Sequence, residues 1–199
     1  ALDEGQRVKR LVLAAIPPEN SSDLPDGTLT MYQGVVREFV SHHHEYILLS
    51  ASVLPDDGNS DALRSAGATS SIGRAQPPSA ILARCRADYA GRRTHGVLLS
   101  ACDRLDATGD SVEYAVEARL MDCETGLLVW RAKGGSTYPQ KDDSLEQTVR
   151  GYTNRYGEAV EPYVAGAYLL SRKLYDSMPD PTLNEDDIIE KIELDSLVD

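Results

Sequence analysis

Between residues 95 and 133 three apolar stretches follow one another with only two short turns between them, and no other feature limits the possible folds as strongly. "HGVLLSACDRL" (95–105) reads as a buried strand, and the "DATGD" turn (106–110) leads into "SVEYAVEARLMD". There Val112, Tyr114, Val116, Ala118 and Leu120 alternate with Glu113, Ala115, Glu117 and Arg119, the period of a strand with one face in a core and the other in water. "CETG" (123–126) then returns the chain into "LLVWRAK" (127–133), a connection short enough to make the last two strands antiparallel neighbours.

Upstream the pattern changes. "RVKRLVLAAI" (7–16) ends in six continuous apolar residues, Leu11 to Ile16, cut off by Pro17 and Pro18, which suits a strand covered on both faces. Leu29, Tyr32, Val36 and Phe39 then recur at helical spacing up to Ser41, with Asp26 or Thr28 available as a cap. "YILLSASVL" (46–54) predicts a second buried strand, and residues 55–78, rich in Gly, Ser, Asp and Pro, predict a long loop. Ile81 or Leu82, Cys85 and Tyr89 mark one face of a second helix over about residues 78–92, with Pro78 in its permitted first turn.

After the hairpin, Leu145, Val149, Tyr152, Tyr156 and Val160 form an apolar stripe that starts near Ser144, with Gln147 placed as a capping-box partner. Pro162 predicts a kink near Glu158, because its ring clashes with the carbonyl four residues back. The stripe resumes at Tyr163, Ala167, Leu170 and Leu174.

The order β-α-β-α-β-β-β-α, with helical crossovers between the first three strands, predicts an α/β fold. Its mixed five-stranded sheet has three parallel strands plus an antiparallel C-terminal hairpin, packed by three helices, the last long and kinked at Pro162. Residues 1–178 form one domain on this reading, and residues 179–199 an acidic C-terminal tail. From Asn184 onward the tail carries seven acidic residues and one lysine, half of the net charge of −12 of the 199-residue chain. Asn184 is a suitable helix cap, and Ile188, Ile189 and Ile192 share one side of the helix that would follow. A helix this short is marginal alone, so it needs a surface to fold on. The acidic composition with few aromatics alone reads as a solvated disordered tail; the three isoleucines point instead to docking on a basic groove of a partner or of a neighbouring copy, with Ile188, Ile189 and Ile192 as contacts, and removing residues 183–199 is then expected to leave the domain's stability nearly unchanged.

Charge and composition exclude some classes. A net charge of −12 and an isoelectric point near 4.7 repel phosphate backbones and anionic lipid surfaces, so nucleic acid is not an expected partner. No run approaches the roughly 20 apolar residues of a membrane-spanning helix. Cys85, Cys102 and Cys123 show no CxxC spacing and allow at most one disulfide. Cys85 and Cys102 fall on apolar faces, where thiols are ordinarily inert packing.

Two other features invite a site. Asp122, Cys123 and Glu124 could suggest a metal, but consecutive side chains at a strand end diverge and no histidine lies nearby in sequence. His42, His43 and His44 are consecutive, so they diverge around a helix, and near its C-terminus their charge is favoured by the dipole. No cofactor and no metal are expected. GxSxG, HExxH, a Walker loop and a strand-borne GxGxxG are all missing, so no nucleophile stands out. If the hairpin turn centres between Glu124 and Thr125, Asp122 opposes Leu127, Leu120 opposes Val129 and Arg119 opposes Trp130. Trp130 then has a structural task, stacking on the guanidinium, beside its alternative use as a partner-binding anchor.

The segment "RLMDCETGLLVWRAKG", with its preceding strands, resembles the D-x-x-T-G-x-x-x-W hairpin of bacterial periplasmic and outer-membrane lipoproteins, here Asp122, Thr125, Gly126 and Trp130. That group includes CsgG, LpoB and TolB amino-terminal domains, which share an anticodon-binding-domain-like α/β fold, and within it the chain looks most like uncharacterised Gram-negative lipoproteins with a long C-terminal helix. The likeness covers roughly residues 7–176. It implies a non-enzymatic lipoprotein-type scaffold or adaptor in the periplasm or on the periplasmic face of the outer membrane, with an envelope protein complex or a homo-oligomer as partner. The membrane would be reached only through an N-terminal lipid anchor outside this chain. The chain lacks the amphipathic hairpins from which CsgG builds a barrel, so a pore is not expected. The alternative reading is a small hydrolase or small-molecule-binding α/β protein, with its site at the C-terminal ends of the parallel strands near residues 17–22, 55–60 and Asp103.

Overall fold

The computed structural model describes residues 7–49, 82, 83, 85–87 and 94–197. Five strands form one mixed sheet in the order β2-β1-β3-β4-β5, with β1 Arg10–Ile16, β2 Ile47–Leu48, β3 Gly96–Thr108, β4 Ser111–Asp122 and β5 Leu128–Pro139. β1 pairs parallel with β2 and with β3, and β3, β4 and β5 follow as an antiparallel meander. The mixed α/β sheet expected from the sequence is the one observed. Its hairpin strands run further than their apolar cores suggest, since pairing continues to Thr108 and to Pro139. Of the strand expected over 46–54, residues 47 and 48 pair, and residues 50–54 lie outside the described residues.

One face of the sheet carries the main core. Helix α1 (Thr28–His43) buries Met31, Tyr32, Val35, Val36, Phe39 and Val40, a helical stripe one position broader than Leu29, Tyr32, Val36 and Phe39 alone implied. Its N-cap is Gly27, without a side-chain cap, because the Thr28 hydroxyl instead donates to the Pro25 carbonyl at 2.7 Å. Helix α3 (Glu161–Leu174) lies against β4 and β5 and buries Val164, Ala167 and Leu170. At Gly166 it approaches so closely that an added Cβ would sit 2.8 Å from Val112 and Tyr114, so a larger residue there would push helix and sheet apart.

The expected kink at Pro162 is a full break. Helix α2 (Glu146–Tyr156) ends at Gly157, whose φ of 102° lies where side-chain-bearing residues are strained, and a single 3-10 turn (Glu158–Val160) precedes α3. Pro162 thus falls in the first turn of α3, where its missing N–H costs no hydrogen bond. The start also differs: Asp142, not Ser144, caps the preceding turn, accepting from the Ser144 amide at 2.9 Å.

The opposite face of the sheet holds a smaller core. Val97 and Leu99 alternate with the main-core Leu98 and pack with Ile16, Cys85 and Cys123. Residues 82, 83 and 85–87 are helical, in keeping with the helix expected there, while the remainder of that helix and the expected loop over 55–78 lie outside the described residues.

Past α3 the chain forms helix α4 (Glu185–Ser196), which packs against β2. Leu194 packs with Val12, Ile47 and Leu49, and the basic groups that meet the acidic helix are Lys9 and Arg10 of the same chain.

Candidate interaction surface

The hairpin turn is built by its own sequence. Asp122 Oδ1 accepts from the Glu124 and Thr125 amides at 2.8 and 3.2 Å, the Thr125 hydroxyl accepts from the Leu127 amide at 3.2 Å, and the Gly126 amide returns to the Asp122 carbonyl at 2.8 Å. Gly126 needs glycine twice: its φ is +73°, and the Arg86 guanidinium occupies the place a Cβ would take. Arg86 donates to the Thr125 carbonyl, and a Cys85–Cys123 disulfide, with Cα atoms 5.2 Å apart, ties the helical residues 85–87 to the turn. The Asp-Cys-Glu sequence therefore holds a bridge. Among the described residues no group of three or more His, Cys, Asp or Glu is arranged to hold a metal ion.

The expected register holds at the turn, where the Asp122 amide donates to the Leu127 carbonyl, and fails one step further. A bulge places Met121 opposite Leu128 and Leu120 opposite Trp130, so Val129 is the extra residue and Arg119 faces Arg131. Trp130 does not oppose Arg119. Its ring lies on the core side with Leu120, 6.0 Å from the Tyr175 ring, and its Nε1 donates to Ser177 Oγ at 3.3 Å.

On the outer side of the hairpin Glu117 gathers three cations that the sequence pattern did not announce. Oε1 accepts from Arg119 Nε at 2.7 Å and has Arg131 Nε 2.8 Å away as an ion pair, and Lys133 Nζ lies 3.2 Å from Oε2. The hydrogen bond from Arg119, aided by Lys133 and Arg131 against the cost of burial, holds this carboxyl below the usual range. Strand alternation could have placed these residues on one face. Their cross-strand convergence required the register.

The histidines separate where the helix ends, since His42 and His43 are its last residues and His44 is already extended. His42 and His43 are exposed, His43 stacking on Phe39, whereas His44 is buried between Asp180 Oδ1 at 2.9 Å and the Tyr175 carbonyl at 2.8 Å.

Helix α4 is held by charge and displays apolar residues. Asn184 and Asp187 form a reciprocal capping box, each accepting from the other's amide. Asp187 also accepts from Lys9 Nζ at 2.7 Å and Arg10 Nη2 at 3.3 Å, and Arg10 bonds Glu190 as well. Burial is the largest influence on Asp187 and acts upward, but Lys9, the Asn184 amide and Arg10 together outweigh it and hold its carboxyl below the usual range. Lys191 Nζ donates to the Ser41 and Tyr46 carbonyls at 3.1 and 3.0 Å, closing the C-terminal half onto the domain. With that face turned inward, Ile188, Ile189 and Ile192 are exposed to solvent.

At the ends of the parallel strands, residues 55–60 lie outside the described residues, and Asp103 occupies a bulge in β3. Residues 21–23 form one 3-10 turn, braced by Asn20 Nδ2 donating to the Leu105 carbonyl. An open depression of about 310 Å³ lies elsewhere, between β5 and α3, lined by Gln140, Lys141, Glu158, Ala159, Glu161 and Pro162. No helix among the described residues is long and apolar enough to cross a membrane.

No family model matches the chain, and no curated protein does. Among solved structures it is similar to lipoprotein GNA1162 from Neisseria meningitidis, at 13% identity and a TM-score of 0.44 over 74% of this chain and 96% of that one. It is similar to the PelC dodecamer from Paraburkholderia phytofirmans, at 15% identity and a TM-score of 0.39 over 88% of this chain and 89% of that one. A third likeness is to the LpoB C-terminal domain from Salmonella enterica, at 16% identity and a TM-score of 0.37 over 66% of this chain and 83% of that one.

Proposed function

We propose that this chain is a non-enzymatic adaptor of the bacterial envelope, working in the periplasm or on the periplasmic face of the outer membrane by docking other envelope proteins. The observation that carries the reading is the row Ile188, Ile189 and Ile192, exposed on a helix whose other side is fixed by the Lys9–Arg10–Asp187–Glu190 network. Three adjacent isoleucines in water gain nothing for the monomer, and a pre-ordered helix offers them to a groove without the entropy cost of folding on contact. The compartment is supported by the Cys85–Cys123 bridge, since such bonds persist in oxidising spaces such as the periplasm, and by the resemblance of the Asp122, Thr125, Gly126 and Trp130 hairpin to that of envelope lipoproteins.

The test is in vivo cross-linking and co-purification from envelope fractions with the full chain and with Ile189→Ser/Ile192→Ser. A stoichiometric envelope protein captured by the parent and lost from an equally stable variant is the expected result. Identical captures from both would remove the helix row from the reading, and a chain found wholly in the cytosolic fraction would remove the reading itself.

A further inference from the structure

Two surfaces of the molecule are complementary, and they lie at opposite edges of its sheet. Every large apolar side chain exposed among the described residues belongs to one of them: Leu127 and Leu128 at the hairpin, and Ile188, Ile189, Ile192 and Leu197 on and just after α4, with exposures between 45% and 79%. α4 flanks β2 at one edge, and β5 forms the other. A chain cannot bring its own two surfaces together.

Their charges are opposite. On the outer side of the hairpin Arg119, Arg131 and Lys133 meet the single carboxylate Glu117, leaving an excess of two positive charges in a chain of net −12. Leu128, paired with Met121, continues that outer row toward the turn, whose acids Asp122 and Glu124 each have Arg7 at 3.6 Å. On α4 the inward acids are consumed by Lys9, Arg10 and Lys191, while Glu185, Asp186 and Glu193 are exposed beside the isoleucines, without an ion pair among the described residues. One surface is apolar with a basic flank, and the other is apolar with an acidic flank.

We infer that the outward face of α4 in one copy docks on the β4–β5 hairpin of a second copy, Ile188, Ile189 and Ile192 against Leu127 and Leu128, with Glu185, Asp186 and Glu193 facing Arg119, Arg131 and Lys133. The inference rests on the adaptor reading and names a second copy as one occupant of its helix row. Because the two surfaces differ, the contact is head to tail, and each copy keeps one surface free after the first contact, so assembly proceeds to rings or chains. A helix of 12 residues spans about 18 Å, which places the contact at the small, transient end of protein interfaces, with a Kd on the order of 10–100 µM. Attraction between touching charges outlasts the repulsion of the like-charged bodies near 0.1 M salt, where the screening length is about 10 Å.

The purified full chain tests this without any other partner. Sedimentation across a concentration series should show a mass rising above 21.7 kDa at about 0.1 M salt and returning toward it near 1 M, where screening is tightest. Leu128→Cys and Ile192→Cys are both at exposed positions, so each variant should fold. Mixed and mildly oxidised, they should give the mixed cross-linked pair in roughly tenfold excess over either homodimer, the mark of two different surfaces meeting. A monomer at every concentration, or homodimers equalling or exceeding the mixed pair, would overturn the inference. Neither result touches capture of an envelope partner through Ile189 and Ile192, so the two readings fail separately.

Discussion

Replacing Asp187 by alanine tests how the C-terminal helix is held. The residue is only 4% exposed, and its carboxylate accepts from Lys9 at 2.7 Å, from Arg10 at 3.3 Å and from the Asn184 amide at 3.0 Å. Alanine deletes two charge-assisted hydrogen bonds, each worth about 1.5–3 kcal/mol in isolation, and half of a capping box worth about 0.5–1 kcal/mol. Against this, the carboxylate is no longer desolvated, the Lys9 side chain is 22% exposed and can turn to water, and Arg10 keeps Glu190. The net loss should be about 2–3 kcal/mol, below the 3–5 kcal/mol of a fully buried broken pair, or roughly 4–12 °C for a chain of this size. Its ceiling is the free energy with which α4 docks, because beyond that the helix detaches and the remaining domain survives. Removal of residues 183–199 should therefore cost at least as much, in contrast to the nearly unchanged stability expected from the sequence. The pH dependence has a definite sign. A carboxyl held below its unfolded value stabilises the fold above about pH 4, and that contribution is lost as pH falls through the depressed folded value. Urea midpoints at several pH values should show parent and variant separated near pH 7 and converging in acid. A difference under about 0.5 kcal/mol at pH 7, or one independent of pH, would refute the docked helix.

Trp130→Ala should cost about 2–3 kcal/mol through the lost packing on Leu120 and Tyr175, read as a lower melting temperature; an unchanged melt with loss of a partner would make Trp130 an anchor instead. Cys85→Ser or Cys123→Ser opens a loop whose ends lie 38 residues apart and should lower stability by up to about 3–4 kcal/mol, matched by adding reductant to the parent, whereas Cys102→Ala should leave the non-reducing peptide map unchanged. Gly126→Ala should destabilise by at least about 1 kcal/mol from its positive φ, more if Arg86 must leave Thr125, and a neutral result in a urea titration would show that the turn relaxes freely.

What was legible in the sequence follows from range. Leu11 to Ile16 and the alternation from Val112 to Leu120 report burial within one strand, so the strands, their succession along the chain and their relative directions are legible in the sequence, whereas the placing of β1 between β2 and β3 is not. Register across the hairpin is not legible either, because the bulge at Val129 has no residue signal of its own, and one extra residue moved Trp130 from Arg119 to Leu120. The break at Gly157 was hidden by an apolar stripe that continued across it, and Pro162 attracted the prediction that belonged to the glycine. The tail's helix and cap were local and readable, but its docking partners were not, since Lys9 and Arg10 lie more than 170 residues away. Glu117 likewise looked like one more polar position on an outer strand face until two neighbouring strands supplied its cations.

The two edges of the sheet connect stability to association. An exposed strand edge recruits other strands, and the remedies are a short strand, a covering element, or charge and proline on the edge. At one edge β2, which pairs over two residues among those described, lies under α4, while at the other β5 runs for twelve residues carrying Arg131, Lys133 and a terminal Pro139. α4 therefore shields an edge with its inner face and offers Ile188, Ile189 and Ile192 with its outer face. Substitutions on the two faces must act differently. Ile192→Ser removes a contact and leaves β2 covered, so a soluble and more monomeric protein follows. Asp187→Ala loosens the whole helix, withdrawing the ordered row while uncovering Val12, Ile47 and Leu49, so that specific head-to-tail contact is exchanged for disordered pairing through β2. If the outer face docks as proposed, the inner ion network governs which kind of association is available, although none of its residues lies on that face.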